Sequence, residues 1–177
     1  MRRLKLYQIE EKYINFLEKN DTKIMKNKES RKYVGIIEFI NEKPYCIPLS
    51  SPKDKHKTMN DKKIDLFKIK NGEYGVLNIN NMIPVAPNNI IEIKIPENRS
   101  SYEELLFNQY RYINLSENKK KIIKKCKLTY NKVVFEKNEN FKKRCCDFLA
   151  LEKLCEEYNF TQKEDDNYDS NDCEMEM

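Results

Sequence analysis

Residues 50–56 read Ser-Ser-Pro-Lys-Asp-Lys-His and follow directly on the apolar run YCIPL. Two hydroxyls, a stiff proline, two lysines and the only histidine of the chain are the groups that would handle a phosphate. A lysine ammonium offers three donors, and its charge-assisted bonds to phosphate oxygens are among the stronger ones. One donor aimed at developing charge lowers a barrier by ~3 kcal/mol. A site that held and cut a phosphodiester here would have to stabilise a crowded anionic phosphorane and move protons off and onto the reacting oxygens. A histidine pair is one way to do this, and it is excluded because His56 stands alone. Hydroxyl and ammonium groups remain: Ser50, Ser51 and Lys53, with Lys55 and Lys57 close by. His56 titrates near ~6.5 and suits an acid or donor role. The same residues also fit an ordinary Ser-Ser-Pro turn followed by a solvated loop, and spacing alone leaves both readings open.

The elements around this stretch define a frame. LKLYQI alternates and reads as an opening strand. EEKYINFLEKN follows as a short helix with Tyr13, Phe16 and Leu17 inward. KNDTKIMKNKESRK is a polar loop carrying Arg31 and Lys32. YVGIIEFI and YCIPLSS read as two strands joined by a hairpin, the second ending at Ser50 because Pro52 has no amide hydrogen. LFKIK-NG-EYGVLNI reads as a tight hairpin turning at Asn71-Gly72, and MIPVAPNNIIEIKI adds strands interrupted by Pro84 and Pro87. From Ser101 the period changes. SYEELLFNQYRYINL predicts a helix capped by Ser100 or Ser101. SENKKKIIKKCKLTYNKVVFEK predicts a second, with Ile122, Ile123, Cys126 and Tyr130 on one face. ENFKKRCCDFLALEKLCEEYNF predicts a third, with Phe148, Leu151, Leu154 and Cys155 inward. Strands first and helices after make an α+β domain.

Composition narrows the function classes. A chain of 177 residues suits one domain with a real core. No apolar run reaches the ~20 residues of a membrane span. The opening MRRLKLYQIEEKY has no apolar core of a signal peptide, so a cytoplasmic protein is expected. The six cysteines make no C-x-x-C pair, so zinc is not expected and they read as reduced thiols. Three glycines, Gly35, Gly72 and Gly75, exclude a Gly-rich phosphate loop. The last 17 residues hold seven acids against Lys163, a net −6, which leaves residues 1–160 at +11. A body this basic favours a polyanionic partner. The helix stretch NKKKIIKKCK adds Lys119, Lys120 and Lys124, a broad positive surface suited to folded RNA. The acidic segment 161–177 has too little apolar content to bury and is expected to be a disordered tail on the 1–160 domain.

The segments KLYQIEEKYINFL, YVGIIEFI, KPYCIPLSSPKDKH and GVLNINNMIPV resemble, in this order, the ToxN/AbiQ family of type III toxin–antitoxin systems. The likeness runs from about Lys5 to Phe160, and the turn PLSSPK is its most specific part. The resemblance implies a strongly twisted antiparallel sheet of the Kid/MazF-like toxin kind with helices packed on it. It also implies an endoribonuclease that cuts RNA without metal or cofactor, leaving a 2′,3′-cyclic phosphate and a 5′-hydroxyl. The implied partner is a repeat-derived RNA pseudoknot antitoxin, processed by the toxin and held in a closed ring of alternating protein and RNA, with a role in phage defence. Family positions matching Ser51, Lys53 and Tyr13 line the active site. Some relatives carry a further tyrosine before the second strand. Here 21–32 has no aromatic residue, and Arg31 and Lys32 are the alternative phosphate contacts. The acidic tail lies beyond the family's usual end.

The expected catalytic set is therefore Ser51, Lys53, Tyr13, Ser50 and His56. The expected RNA contacts are Arg31, Lys32, Lys55, Lys57, Lys119, Lys120 and Lys124. The rival is a non-catalytic RNA-binding module, which would have no need of the Ser-Pro-Lys turn.

Overall fold

The structure is a computed structural model that describes residues 3–26, 31–40 and 43–172. Its strands are β1 (Lys5–Ile9), β2 (Tyr33–Ile40), β3 (Lys43–Ser50), β4 (Phe67–Lys68), β5 (Val76–Leu77), β6 (Ile83–Pro84) and β7 (Ile90–Glu92). The helices are α1 (Glu11–Asn20), α2 (Asp54–Thr58), α3 (Ser101–Ile113), α4 (Ser116–Val134), α5 (Glu139–Arg144) and α6 (Phe148–Asp172). One antiparallel sheet of seven strands runs β4-β5-β3-β2-β1-β7, with β6 pairing on β3, and the helices pack on it. The α+β expectation holds. The centre is the β2–β3 hairpin, in which Tyr33 pairs with Pro48 and Val34 with Ile47. These are the strands whose sequences carry the most apolar residues.

Helix α3 starts where the sequence says it should. Ser100 accepts from the Glu103 amide while the Glu103 carboxylate accepts from the Ser100 amide, a complete capping box. Its far end is tied to the sheet: Asn114 Oδ1 accepts from the Leu4 amide at 2.9 Å, and Asn114 Nδ2 donates to the Leu4 carbonyl at 3.0 Å. In α4 the buried stripe is Ile122, Ile123, Cys126, Thr129, Tyr130 and Val133, close to the expected one.

Three local expectations fail for identifiable reasons. The polar stretch Asp54–Thr58 is a one-turn helix, not a loop, closed by the His56 amide on the Lys53 carbonyl at 2.8 Å. The Asn71-Gly72 hairpin exists, pairing Lys68 with Val76, but its loop is wide. Lys70, Asn71 and Gly72 all take positive φ, and this detour lets Ile69 reach the core and Gly72 lie against α2. The single helix expected from Glu139 onward is split into α5 and α6. The Cys146 amide donates to the Asn80 carbonyl and the Asp147 amide to Asp21 Oδ2, both at 2.9 Å. Asp147 then caps α6 by accepting from the Ala150 amide. Helix α6 runs from Phe148 to Asp172 and so includes the first part of the acidic segment. The rest of that segment, 173–177, lies outside the described residues.

Helix α6 and the sheet share a buried polar knot. Glu152, 3% exposed, accepts on Oε1 from Tyr45 at 2.7 Å and from Tyr130 at 2.9 Å. The Tyr130 and Phe148 rings stack above it at 5.8 Å. Cys46, Cys126, Cys145, Cys146 and Cys155 are all buried free thiols. Removing the carboxylate would strand two buried hydroxyls, each costing about 1–3 kcal/mol. Glu152→Leu should therefore lower unfolding free energy by about 2–4 kcal/mol in denaturant titrations. Glu152→Gln, which keeps an acceptor, should lose less. Equal stability of the leucine variant and wild type would show that the knot contributes nothing.

Candidate active site

The end of β3 delivers Ser50 to the surface, and the next residues turn outward. Ser51, Pro52, Lys53, Asp54, Lys55 and Lys57 are exposed, and Ser50 is half-buried. What holds this turn is the neighbouring strand. Leu49 pairs with Leu77 and Ser50 with Val76. Asn78 then finishes the job: its amide donates to the Pro48 carbonyl at 3.0 Å and its Nδ2 donates to Ser50 Oγ at 2.8 Å. Because Ser50 Oγ accepts from Asn78, its own proton is left free to donate outward.

Two glycines let the backbone come close enough. A Cβ on Gly75 (φ +94°) would lie 2.0 Å from the Ser50 carbonyl oxygen and 3.0 Å from the Ser51 carbonyl carbon. One on Gly72 (φ +92°) would lie 2.6 Å from the His56 carbonyl oxygen. Only glycine meets both the positive φ and the close approach. Below α2, the nearly buried Lys68 ammonium donates to the Lys57 and Met59 carbonyls at 2.9 and 3.1 Å and pairs with Asp61 at 3.3 Å. From α4, Lys125 donates to the carbonyls of Asp61, Lys63 and Leu66 at 3.1, 2.6 and 2.8 Å. Sequence reasoning assigned no role to Asn78, Gly75 or Lys68, read Gly72 only as part of a tight turn, and read Lys125 only as part of a charged surface. The signal present was the run NINN after a strand and a glycine just before it.

Lys32 belongs with this turn more closely than its loop position suggested. Its carbonyl accepts from the Leu49 amide at 2.9 Å, extending the β2–β3 ladder to the last residue before Ser50. Its ammonium is half-buried, and burial lowers its pKa. Arg31, beside it, donates from Nε to the Lys26 carbonyl at 3.1 Å. On α4, Lys120 and Lys124 are exposed and Lys119 is half-buried. Lys57 pairs with Asp54 at 3.3 Å, whereas Lys53 and Lys55 stand exposed beside it.

Two expected members are not placed to touch RNA. Tyr13 is fully buried; its hydroxyl donates to the Pro84 carbonyl at 2.7 Å and its ring lies 5.1 Å from that of Tyr158. Pro84 pairs with Tyr45, five residues before Ser50 on β3, about 17 Å away along an extended strand. Burial also pushes the Tyr13 phenol far above its ordinary pKa. His56 is 3% exposed, because α2 turns its ring inward. Its Nδ1 has no hydrogen-bond partner among the described residues. Burial first, then the charges of Lys55 and Lys53, lower its pKa and favour the neutral ring. Ser50, Ser51 and Lys53 thus follow one another along the turn, Lys32 is joined to it through its main chain, and His56 is buried just after it.

Comparison with known proteins places this arrangement. A sequence model described as Toxin ToxN, type III toxin-antitoxin system, matches residues 5–156. The endoribonuclease ToxN of Bacillus thuringiensis subsp. kurstaki is 35% identical over 165 residues, covering 87% of this chain and 84% of that one. The endoribonuclease AbiQ of Lactococcus lactis subsp. lactis is 31% identical over 164 residues, covering 84% and 86%. Among solved structures, a type III toxin selectively inhibited by a non-coding RNA pseudoknot superposes with a TM-score of 0.79 at 33% identity, covering 89% of this chain and 99% of that one. Fold, order of motifs and sequence agree over most of the chain, and the protein belongs to the ToxN family of type III toxin–antitoxin toxins.

Proposed function

We propose that this chain is an endoribonuclease toxin that cuts RNA at the Ser50–Lys53 turn without a metal ion. The observation that carries the reading is the turn itself: Asn78 and Gly75 fix the Ser50 hydroxyl and the backbone at Ser50 and Ser51, and Ser51 and Lys53 stand exposed directly after. Its close relatives bear the name endoribonuclease, which supports the same reading.

In the proposed step the 2′-oxygen attacks the adjacent phosphorus and gives its proton to solvent water at the exposed turn, the bond to the 5′-oxygen breaks, and that oxygen takes up a proton from water. The products are a 2′,3′-cyclic phosphate and a 5′-hydroxyl. Ser51 orders the attacking hydroxyl or the phosphate. Ser50, its oxygen fixed by Asn78, directs its proton at the phosphate. Lys53 stabilises charge on the non-bridging oxygens, where fixed donors in a preorganised site act most strongly. Lys32 adds a second positive charge. His56 acts indirectly, as a neutral ring under α2 that sets where Lys53 and Lys55 stand. An RNA pseudoknot cut from a repeat transcript would then be both substrate and inhibitor, held with the toxin in a closed ring. Release of the toxin on phage infection would arrest growth. In support, the inhibitor of one solved relative is a non-coding RNA pseudoknot, and the structure of AbiQ is described as that of an anti-phage endoribonuclease.

Ser51→Ala and Lys53→Ala should each slow single-turnover cleavage on the order of a hundredfold or more, with far smaller losses in pseudoknot affinity. Activity should persist in EDTA, and the products should carry cyclic phosphate and 5′-hydroxyl ends. Wild-type rates in both variants, or 5′-phosphate products, would leave a non-catalytic RNA binder or a different chemistry.

The buried histidine makes a pH prediction. With its folded pKa below the unfolded ~6.5, His56 binds a proton more readily in the unfolded chain. Its contribution to stability is therefore present above ~6.5 and is lost as pH falls through the folded value. The stability gap between wild type and His56→Phe should shift in favour of the variant between pH 7.5 and 5.5. A gap independent of pH would mean that the ring titrates alike in both states.

A further inference from the structure

A small cleft lies between the chain that continues β7 and the start of α3. It has a volume of about 240 Å³, and its lining includes Lys32, Ile93, Lys94, Ile95, Tyr102 and Leu106. That is below the ~300–1,000 Å³ of sites that enclose a drug-sized ligand, and fits a single planar group laid into an open slot. Three features bear on what the cleft could hold. Lys32 is half-buried and has no carboxylate within ion-pair distance among the described residues. Burial disfavours its charge, so an anion brought there would relieve a standing cost. Tyr102, on the first turn of α3, is 52% exposed, an aromatic ring left open to solvent. Ile93, Ile95 and the buried Leu106 add apolar surface, and Glu103, anchored by the capping box, adds a carboxylate to the lining.

The main chain ties one lining residue of the cleft to the turn. Lys32 is bonded through its carbonyl to Leu49, and Ser51 follows Leu49 by two residues, about 7 Å along the strand. Splayed single-stranded bases are commonly bound by stacking on aromatic rings while lysines hold their phosphates.

We propose that this cleft holds a nucleotide flanking the scissile phosphate, with its base stacked on Tyr102 and its phosphate at Lys32, and so sets part of the cleavage sequence. The inference rests on the reading of Ser51 and Lys53 as the cutting groups. Tyr102 is a binding residue here and takes no part in bond making or breaking.

The test compares Tyr102→Ala and Tyr102→Phe with wild type on a single-stranded RNA oligonucleotide that the wild type cuts, and on a pool with randomised positions around the cut. Tyr102→Ala should raise KM on the order of tenfold, the effect of losing one stacked base, and lower kcat much less. In the pool it should relax preference at one position adjoining the cut and leave the others intact. Tyr102→Phe keeps the stacking face and should match wild type in both readouts. Affinity for a 2′-O-methyl version of the oligonucleotide, which cannot be cut, is measured alongside. Loss of that affinity in the alanine variant alone supports the subsite even if cleavage fails and the reading of Ser51 and Lys53 falls with it. Unchanged KM, affinity and pool profile in Tyr102→Ala overturn the proposal. So does a phenylalanine variant as impaired as the alanine one, since that would point to the hydroxyl instead of the ring.

Discussion

The pairing of the last residues of β3 with the segment 75–78 is the constraint on which the rest of the site depends. A hydroxyl and an ammonium on a surface turn are common, and alone they do little. Here the ladder Leu49–Leu77 and Ser50–Val76, closed by two hydrogen bonds from Asn78 and the glycine contact at position 75, fixes where the turn begins. From that point Pro52 limits the backbone and α2 starts at once, so Ser51 and Lys53 have little freedom. Preorganisation of this kind is what lets a few donors stabilise charge that develops only during reaction.

The same constraint explains why so many interior contacts serve the residues after the turn. Lys68 and Lys125 spend their ammonium groups on main-chain carbonyls between Lys57 and Leu66, and Thr129 adds a bond from its hydroxyl to the Ile64 carbonyl. A polar connection of this length would otherwise leave carbonyls partly shielded from water without donors. The lysines of the chain thus divide into two groups. Some are exposed and available to RNA phosphates, such as Lys53, Lys55 and Lys120; others are consumed in holding the scaffold. Overall charge does not separate them, and the count of +11 for residues 1–160 overstates the surface open to a polyanion.

Much of this was legible in the sequence. Alternation and apolar runs located β1, β2 and β3, and Ser100 with Glu103 announced the start of α3 because a capping box is a local device. Residue types alone left the Ser50–Lys53 turn open between a phosphate site and an ordinary solvated turn, and it was the likeness to a toxin family that favoured the first. What could not be read were outcomes set by distant partners. The break between α5 and α6 depends on amides captured by Asn80 and Asp21, far away in sequence. The wide loop at Ile69–Gly72 answers to α2 and the core, not to the Asn-Gly preference. His56 lies in a polar run, yet one turn of helix points it inward. Tyr13 matched a family active-site position, but its hydroxyl donates to the Pro84 carbonyl of β6, a strand that pairs with β3 at Tyr45 and Cys46.

The central claim, that the glycine-mediated seating of the turn makes it a catalytic site, is tested most directly by Gly75→Ala. A methyl group there must displace the Ser50 carbonyl, and positive φ adds strain. The measurement is single-turnover RNA cleavage and pseudoknot affinity on the same preparation, with circular dichroism to confirm that the variant is folded. The account predicts cleavage slowed at least about a hundredfold while affinity, spread over many phosphate contacts, changes by only a few-fold. A folded Gly75→Ala protein that cuts RNA at the wild-type rate would contradict it.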